Sequence, residues 1–195
     1  MEDWVKRAIA RWPDVPALFG WLTLDRRGRW LIKGETISRP QIIDTINRNY
    51  AADAHGRWYF QNGPQRGYMR LEYAPLLLRV DAGGGLVAHT GAAVRQVSRA
   101  FLDEEGALLL ATELGPGLLA EAELDWALQR LEQSGAAVDE AQLAAALELP
   151  SGTATPLLLR CGEEPVPVQR LDAAAMPRAL GFVREPQPLP GEKHS

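Results

Sequence analysis

The chain has little of the chemistry that marks a metal site, a disulfide-stabilised domain or a membrane protein. Among its 195 residues there are one cysteine, Cys161, and three histidines. A single cysteine cannot form an internal disulfide, and no Cys/His cluster has the paired spacing of a structural zinc site. Charges or glycines interrupt every apolar run, so none approaches the ~18 residues that a membrane-spanning helix requires. We therefore expect no metal site, no disulfide and no membrane insertion.

The first residues also do not have the pattern of a secretory leader. The first seven residues are acidic and amphipathic, whereas a leader is basic and then continuously apolar. The composition, 46% hydrophobic and 24% charged, is typical of a folded globular protein. We expect a cytoplasmic protein.

Catalytic and cofactor-binding motifs are absent as well. Gly83-Gly84-Gly85 has neither the P-loop nor the dinucleotide-binding spelling and is interpreted as a turn or linker. No serine has the G-x-S-x-G context of a nucleophile elbow. Cys161 ends an apolar run, which is typical of a buried small side chain rather than a nucleophile. The sequence favours a protein that is not an enzyme and that has no cofactor.

Charge is distributed unevenly along the chain. Up to residue 100 there are 15 basic and 9 acidic residues, and after it 6 and 16, so the halves carry +6 and -10. This polarity favours an anionic partner for the first half, or head-to-tail association of the two halves. Solvated faces of different sign explain it equally well.

One turn spelling, Asp-x-x-Gly, occurs four times. It begins at Asp25, Asp53, Asp81 and Asp103, and the first three are 28 residues apart. Asp at the first and Gly at the fourth position suit a type I turn between antiparallel strands, with the Asp side chain bonded to nearby backbone. The segments between the turns differ, so this is repeated turn chemistry and not a solenoid.

Helix and strand signals alternate along the chain. Helical spacing of Trp4, Val5, Ala8, Ile9 and Trp12 predicts an amphipathic helix over residues 3–12. Residues 37–42 and 138–143 each have an N-cap, Ser38 or Asp139, with a Gln three residues later and a hydrophobic staple, which predicts helices near 39–50 and 140–148. Residues 118–131 are predicted to form the longest helix. The remaining apolar runs predict strands and hairpins.

The overall prediction is an α+β fold of antiparallel β-hairpins and short capped helices in two weakly related halves. The halves are residues 1–82 and 83–183, each α+β. Three prolines and few apolar residues after Arg184 predict a flexible tail over 184–195.

Three stretches carry a family resemblance: residues 20–35 (GWLTLDRRGRWLIKGE), 47–50 (NRNY) and 56–66 (GRWYFQNGPQR). They resemble a proteobacterial family of unknown function over roughly residues 15–80. The order of hairpin, helix, second hairpin and Ala-Pro strand is also similar to another uncharacterised bacterial family of two-domain α+β proteins. These resemblances imply an architecture and no activity.

The candidate ligand-binding residues lie on the second hairpin. Alternation places Trp58 and Phe60 on one face of a strand, and Arg57 and Tyr59 on the other. If the apolar residues face the core, the outer face displays the following five residues: Arg57, Tyr59, Arg66, Tyr68 and Arg70. Arg and Tyr on one surface can stack a ring and neutralise an anion, although cross-strand Tyr/Arg pairs also simply stabilise hairpins.

The leading hypothesis is a non-enzymatic binding or regulatory module whose Arg/Tyr hairpin binds an anionic or protein partner, with nucleic acid as a weaker candidate. One alternative is an enzyme with a cleft between the halves. The other is a self-associating structural protein, since in a homo-oligomer the basic half of one copy would pair with the acidic half of another.

Overall fold

The computed structural model describes residues 3–11 and 15–194. The chain divides into two compact units, one of Met1–Pro75 with Gly181–Ser195 (unit 1) and one of Leu76–Leu180 (unit 2). Each unit consists of one mixed β-sheet and a few short helices, so the fold is α+β. The first predicted helix is present as α1 (Asp3–Arg11), but the side chains of the apolar stripe predicted on it are not among those that the structure describes.

Unit 1 contains a six-stranded sheet in the order β3-β2-β1-β6-β5-β4. Strands β1 and β6 are parallel and the other neighbours are antiparallel. Its elements are α1 (Asp3–Arg11), β1 (Leu18–Leu24), β2 (Trp30–Ile32), β3 (Glu35–Thr36), α2 (Pro40–Arg48), β4 (Tyr50–Ala52), β5 (Trp58–Asn62) and β6 (Gln65–Leu71).

Unit 2 contains a nine-stranded sheet in the order β13-β12-β14-β15-β9-β10-β11-β7-β8. Two neighbouring pairs, β15–β9 and β11–β7, are parallel. Its strands are β7 (Leu76–Val80), β8 (Leu86–Ala88), β9 (Val97–Leu102), β10 (Leu108–Thr112), β11 (Gly115–Leu119), β12 (Leu131–Gln133), β13 (Ala136–Ala137), β14 (Ala154–Leu159) and β15 (Val166–Arg170). Its helices are a 3-10 turn (Glu121–Glu123), α3 (Leu124–Leu128), α4 (Glu140–Leu147) and α5 (Met176–Leu180).

All four Asp-x-x-Gly turns have the same geometry. In each, Asp Oδ1 accepts hydrogen bonds from the backbone N–H groups two and four residues later, over 2.7–3.0 Å. The glycine has φ between +74° and +83°, which side chains other than glycine rarely adopt. The Asp side chain therefore satisfies backbone donors that would otherwise be left unpaired at the end of each hairpin.

A second feature recurs once in each unit. A two-residue turn with positive φ at both positions, Lys33-Gly34 in unit 1 and Ser134-Gly135 in unit 2, joins a short strand pair and is followed by a helix. In unit 2 the predicted capping box of Asp139 and Gln142 is present at the start of α4. In unit 1 the cap is Arg39 and not Ser38, because Pro40 is the first helical residue and fixes the cap just before it.

The boundaries of the units differ from those predicted. Residues 76–80 were expected to end the first half, but they form β7, which pairs with β8 and β11 of the second sheet. The predicted helix over 118–131 is replaced by the end of β11, a 3-10 turn and the short helix α3. The reason is non-local: Leu118 and Leu119 pair with Leu77 and Leu78, and this pairing outweighs their local preference for helix.

The predicted tail also differs, because residues 181–194 are part of unit 1. The N–H of Val183 donates to the Gly56 carbonyl over 3.0 Å, the N–H of Leu71 donates to Arg184 over 2.8 Å, and the N–H of Ala17 donates to Lys193 over 2.9 Å. A segment of this composition remains a flexible tail only where the rest of the protein offers no surface that binds it. Here unit 1 provides that surface.

Candidate functional site

Both faces of the unit 1 sheet are covered, so the Arg/Tyr face is not the open surface that the sequence predicted. On one face Trp58 packs against Tyr50, and Trp30 donates through Nε1 to Asn47 of α2 over 2.8 Å. On the opposite face Tyr59 and Tyr68 form a cross-strand pair and are 5% and 0% exposed.

An aromatic cluster occupies that second face. Phe19 of β1 stacks on Tyr68 with ring centroids 4.5 Å apart, and Tyr59 meets Tyr68 edge-on at 5.7 Å. Ala17 and Ala51 pack around these rings. Because the rings are buried against one another, they do not form an open platform on which a nucleic-acid base could stack.

Arg57 is at the edge of this cluster and is 4% exposed. Its guanidinium carbon lies 4.3 Å from the centroid of the Tyr68 ring, within the range of a cation–π contact. The local turn fixes its stem: Nε donates to Asp53 Oδ2 over 2.8 Å, and Nη2 lies 2.7 Å from the same oxygen. The Asp-x-x-Gly turn at Asp53 thus determines where the guanidinium points.

The remaining donors of Arg57 are directed at the C-terminal segment, residues 181–194. Nη1 and Nη2 donate to the two carboxylate oxygens of Glu192 over 2.7 and 3.2 Å, which is a two-point arginine–carboxylate pair. Nη1 also donates to the carbonyl of Gln187 over 2.9 Å, and Nη2 to the Tyr68 hydroxyl oxygen over 2.8 Å. The arginine therefore joins the sheet to the segment that covers it.

The Tyr68 hydroxyl lies between two carboxylates. Its oxygen is 3.1 Å from Asp53 Oδ2 and 3.3 Å from Glu192 Oε1, so its proton bonds to one of them at a time. Burial is the largest effect on this phenol, and it raises the pKa of Tyr68. The hydroxyl is accordingly neutral and serves as a donor to these anions.

A turn in the segment presents Glu192. The N–H of Glu192 donates to the Leu189 carbonyl over 3.0 Å, and Gly191 has φ of +81°. Pro190 then Gly191 at the centre of such a turn is the preferred type II sequence. The N–H of Leu189 also donates to Glu192 Oε2 over 2.9 Å, so the carboxylate is held by its own turn and by Arg57.

The carboxylates of the site are stabilised in their charged form. Burial alone would raise the pKa of Glu192, but hydrogen bonds from Arg57 and from the Leu189 N–H outweigh it and the pKa is lowered. Burial opposes ionisation of Asp53 too, and hydrogen bonds from Arg57 and His55 lower the pKa of that group. Both acids are therefore ionised at neutral pH, and the pKa of Arg57 is raised by its pairing with them despite burial.

Two of the five predicted residues remain exposed. Arg66 extends over the Tyr59 ring with its guanidinium carbon 4.5 Å from the centroid, and its Nε donates to Gln61 Oε1 over 3.2 Å. Arg70 pairs with Glu185 over 2.8 Å, with side chains 56% and 64% exposed. Arg70 thus meets the start of the C-terminal segment, whereas Arg57 binds its end.

The first turn of the chain provides an internal comparison. Asp25 and Arg29 repeat the Asp53 and Arg57 arrangement, with Arg29 Nε donating to Asp25 Oδ2 over 2.6 Å. The Arg29 side chain is 52% exposed, against 5% for Arg57. Only the second turn is combined with an aromatic cluster and an acidic covering segment.

Sequence reasoning missed Asp53 as a partner of Arg57 and missed Glu192 altogether. The signals were present: Asp and Arg four residues apart in a D-x-x-G-R turn, and Leu-Pro-Gly-Glu as a type II turn carrying a carboxylate. Neither signal indicates which distant residue it meets. That information is contained only in the fold.

The described residues offer little support for other kinds of functional site. Burial raises the pKa of the Cys161 thiol to about 11, so it is a poor nucleophile at neutral pH. Among residues 3–11 and 15–194, no three His, Cys, Asp or Glu side chains are grouped to hold a metal ion. In the same ranges, no helix is both long enough and apolar enough to span a bilayer.

Comparisons with known proteins reach families without a described function. The family model DUF2944, with the description "Protein of unknown function (DUF2946)", matches residues 1–187. A crystal structure of a DUF1285 family protein from Silicibacter pomeroyi DSS-3 is similar at a TM-score of 0.53 and 15% identity, over 79% of this chain and 82% of that one.

A second crystal structure, of a DUF1285 family protein from Shewanella baltica OS155, has a TM-score of 0.41 and 16% identity, over 56% of this chain and 88% of that one. No curated protein matches. The similarity to the first crystal structure concerns the fold alone.

Proposed function

We propose a function from the geometry of unit 1, because the chain belongs to the family DUF2944, for which only unknown function is described. Unit 1 is a non-enzymatic binding or regulatory module for acidic, proline-containing extended segments. Residues 181–194 of the same chain are its internal occupant. The Arg/Tyr face is the binding surface.

The observation that carries this proposal is the two-point pair between Arg57 and Glu192. An arginine that is 4% exposed needs compensating charge, and Asp53 supplies it from the same turn. Nη1 and Nη2 of Arg57 together bind a second carboxylate, on a segment more than a hundred residues away in the chain. A planar fork selects carboxylates by geometry as well as by charge.

Charge and conformation of the occupant match the face along its length. Glu185 meets Arg70 at one end and Glu192 meets Arg57 at the other. Between them the sequence Pro186-Gln187-Pro188-Leu189-Pro190 contains three prolines, which restrict the unbound chain and lower the entropic cost of ordering it. Aromatic surfaces that bind extended proline-rich segments are a recurrent mode of peptide recognition.

An internal occupant regulates access to such a face. A tethered segment is present at an effective concentration on the order of millimolar, so an external peptide competes well only when it binds more tightly or when the internal contact is weakened. An external acidic partner would therefore release residues 181–194. This displacement is the regulatory step of the proposal.

The test uses the full chain with Glu192→Gln, which weakens the internal contact and leaves the shape of the side chain unchanged. A fluorescein-labelled peptide of residues 184–193 is titrated into this variant and into the wild type, with anisotropy as the readout. We expect at least tenfold tighter apparent binding to the variant, because internal competition is reduced. A peptide with Gln in place of both Glu residues is the control and is expected to bind at least tenfold more weakly.

Three outcomes contradict the proposal. One is equal binding of the acidic and the Gln-substituted peptides, and another is no binding to either protein. The third is global unfolding of unit 1 in Glu192→Gln, since residues 181–194 would then be an integral part of the core and not a displaceable occupant. Raising the salt concentration is expected to weaken the specific signal, because the terminal contacts are ionic.

A further inference from the structure

Unit 2 contains an apolar cavity of about 140 Å³ that no feature of the proposed function uses. It lies between the end of the β9–β10 hairpin and the helices α3 and α4. Six half-buried or buried leucines contribute most of its wall: Leu102, Leu108, Leu124, Leu131, Leu143 and Leu147. Its other lining residues are Gly106, Ala127 and Leu128, so no charged or polar side chain lines it in the part of the chain that the structure describes.

Local sequence explains why the space is not filled. Gly106 must adopt a φ of +83° to close the Asp103 turn, and a Cβ built there would meet nothing within 4 Å. Helix α4 contributes only Leu143 and Leu147 to the wall, and α3 contributes the small residue Ala127. Small residues are thus placed where a tightly packed interior would have larger ones.

The cavity is too large and too apolar to be an ordinary packing defect. Protein interiors contain few voids larger than a water molecule, and each unfilled void forgoes dispersion contacts along its wall. Water that enters the space does not compensate, since it finds no polar side chain in the wall formed by the described residues. The wall therefore gains contacts from an apolar occupant that water cannot supply.

The mouth of the cavity is reachable from solvent. Leu128 of α3 is 45% exposed although its side chain lines the space, and it is among the few large apolar side chains that are exposed in the described residues. An exposed leucine at the rim of an apolar cavity provides an apolar path inward.

We propose that this cavity is a binding site for a small, uncharged apolar molecule about the size of one benzene ring. A leucine-, isoleucine- and phenylalanine-lined cavity of about 150 Å³ is known to bind benzene and xenon, which sets the size of the occupant. A charged analogue is excluded, since no group in the wall compensates a buried charge. The inference is independent of the Arg/Tyr face of unit 1.

The direct test is a titration of the full chain, labelled with ¹³C at the leucine methyl groups, with benzene and separately with benzoate. We expect saturable benzene-induced shifts at the cavity methyls, such as those of Leu108 and Leu143. The methyls of Leu24 and Leu109, which are buried elsewhere, are expected to stay unchanged. Benzoate is expected to have no effect, and benzene is expected to raise the melting temperature with increasing concentration.

A filled variant separates specific occupation from general solvent effects. Ala127→Met is expected to abolish the benzene shifts and to keep or raise the melting temperature, because its added atoms enter the void. In a filled core the same change lowers stability. Leu143→Phe serves the same purpose if the first variant does not fold.

The proposal is overturned by non-saturable benzene shifts spread over all leucines, by equal responses to benzene and benzoate, or by wild-type binding in the filled variant. The titration of the wild-type chain decides the question even if neither variant folds.

Discussion

Substituting Glu192 isolates the contact on which the docking of residues 181–194 depends. Glu192→Gln keeps the Leu189 turn contact available but removes the charge that faces Arg57. A hydrogen bond to a charged group contributes about 1.5–3 kcal/mol, and Glu192 is 23% exposed, so we take the middle of that range. We expect the free energy of undocking the segment to fall by about 2 kcal/mol, which corresponds to about a thirtyfold change in the opening equilibrium.

Hydrogen exchange measures this local opening residue by residue. The Ala17 amide donates to Lys193 and reports on undocking, whereas the amide of Gln61 in β5 donates to Asn49, between α2 and β4, and reports on the sheet. In Glu192→Gln the Ala17 amide is expected to exchange about thirty times faster than in the wild type. In both proteins Ala17 is expected to have a lower opening free energy than Gln61, because the segment opens without the sheet.

Glu185→Gln is the matched control, since it removes a carboxylate from the same segment. Its pair with Arg70 is exposed on both sides, and such surface pairs contribute little, about 0.2–1 kcal/mol. The reasoning is refuted if the two variants accelerate Ala17 exchange equally. It is also refuted if Ala17 and Gln61 have the same opening free energy in the wild type, because the segment and sheet would then open as one unit.

Three further predictions concern unit 1 or its turns. Gly56→Ala is expected to destabilise the protein by at least about 1 kcal/mol more than Gly84→Ala in urea unfolding. Both glycines have positive φ in the same turn type, but only the Cβ at 56 would lie 2.2 Å from the Gly181 carbonyl oxygen. The difference in the free energy of unfolding between wild type and Glu192→Gln is expected to be largest above the usual carboxyl pKa of about 4. It is expected to vanish as pH falls through the lowered pKa of Glu192, which urea unfolding between pH 2 and 7 checks. Tyr68→Phe is expected to cost about 1–2 kcal/mol through the lost hydroxyl. The combined Tyr59→Thr and Tyr68→Thr changes are expected to cost more than the ~3–5 kcal/mol that is usual for one buried aromatic ring, in the same assay, because both rings are buried. A double variant as stable as wild type would contradict the buried placement of these rings.

The sequence by itself determined the features whose physics is local. An Asp followed three residues later by Gly specifies its turn through its own side chain and a positive φ, so the turns at Asp25, Asp53, Asp81 and Asp103 could all be predicted. The capping box of Asp139 and Gln142 was predictable for the same reason. Strand alternation also indicated correctly that Arg57 and Tyr59 face away from Trp58.

Tertiary structure decided what those local features meet. Alternation assigns residues to two faces of a strand, but it does not tell whether one face or both are covered, and here α2 covers one while Phe19 and residues 181–194 cover the other. The proline-rich segment has the composition of a tail, and it is ordered because unit 1 binds it through backbone hydrogen bonds and through Arg57, which lies 135 residues from Glu192. Likewise Leu118 and Leu119 became strand because Leu77 and Leu78 offered a parallel edge. Contacts between residues far apart in sequence supply these free energies, and no window of local sequence contains both partners.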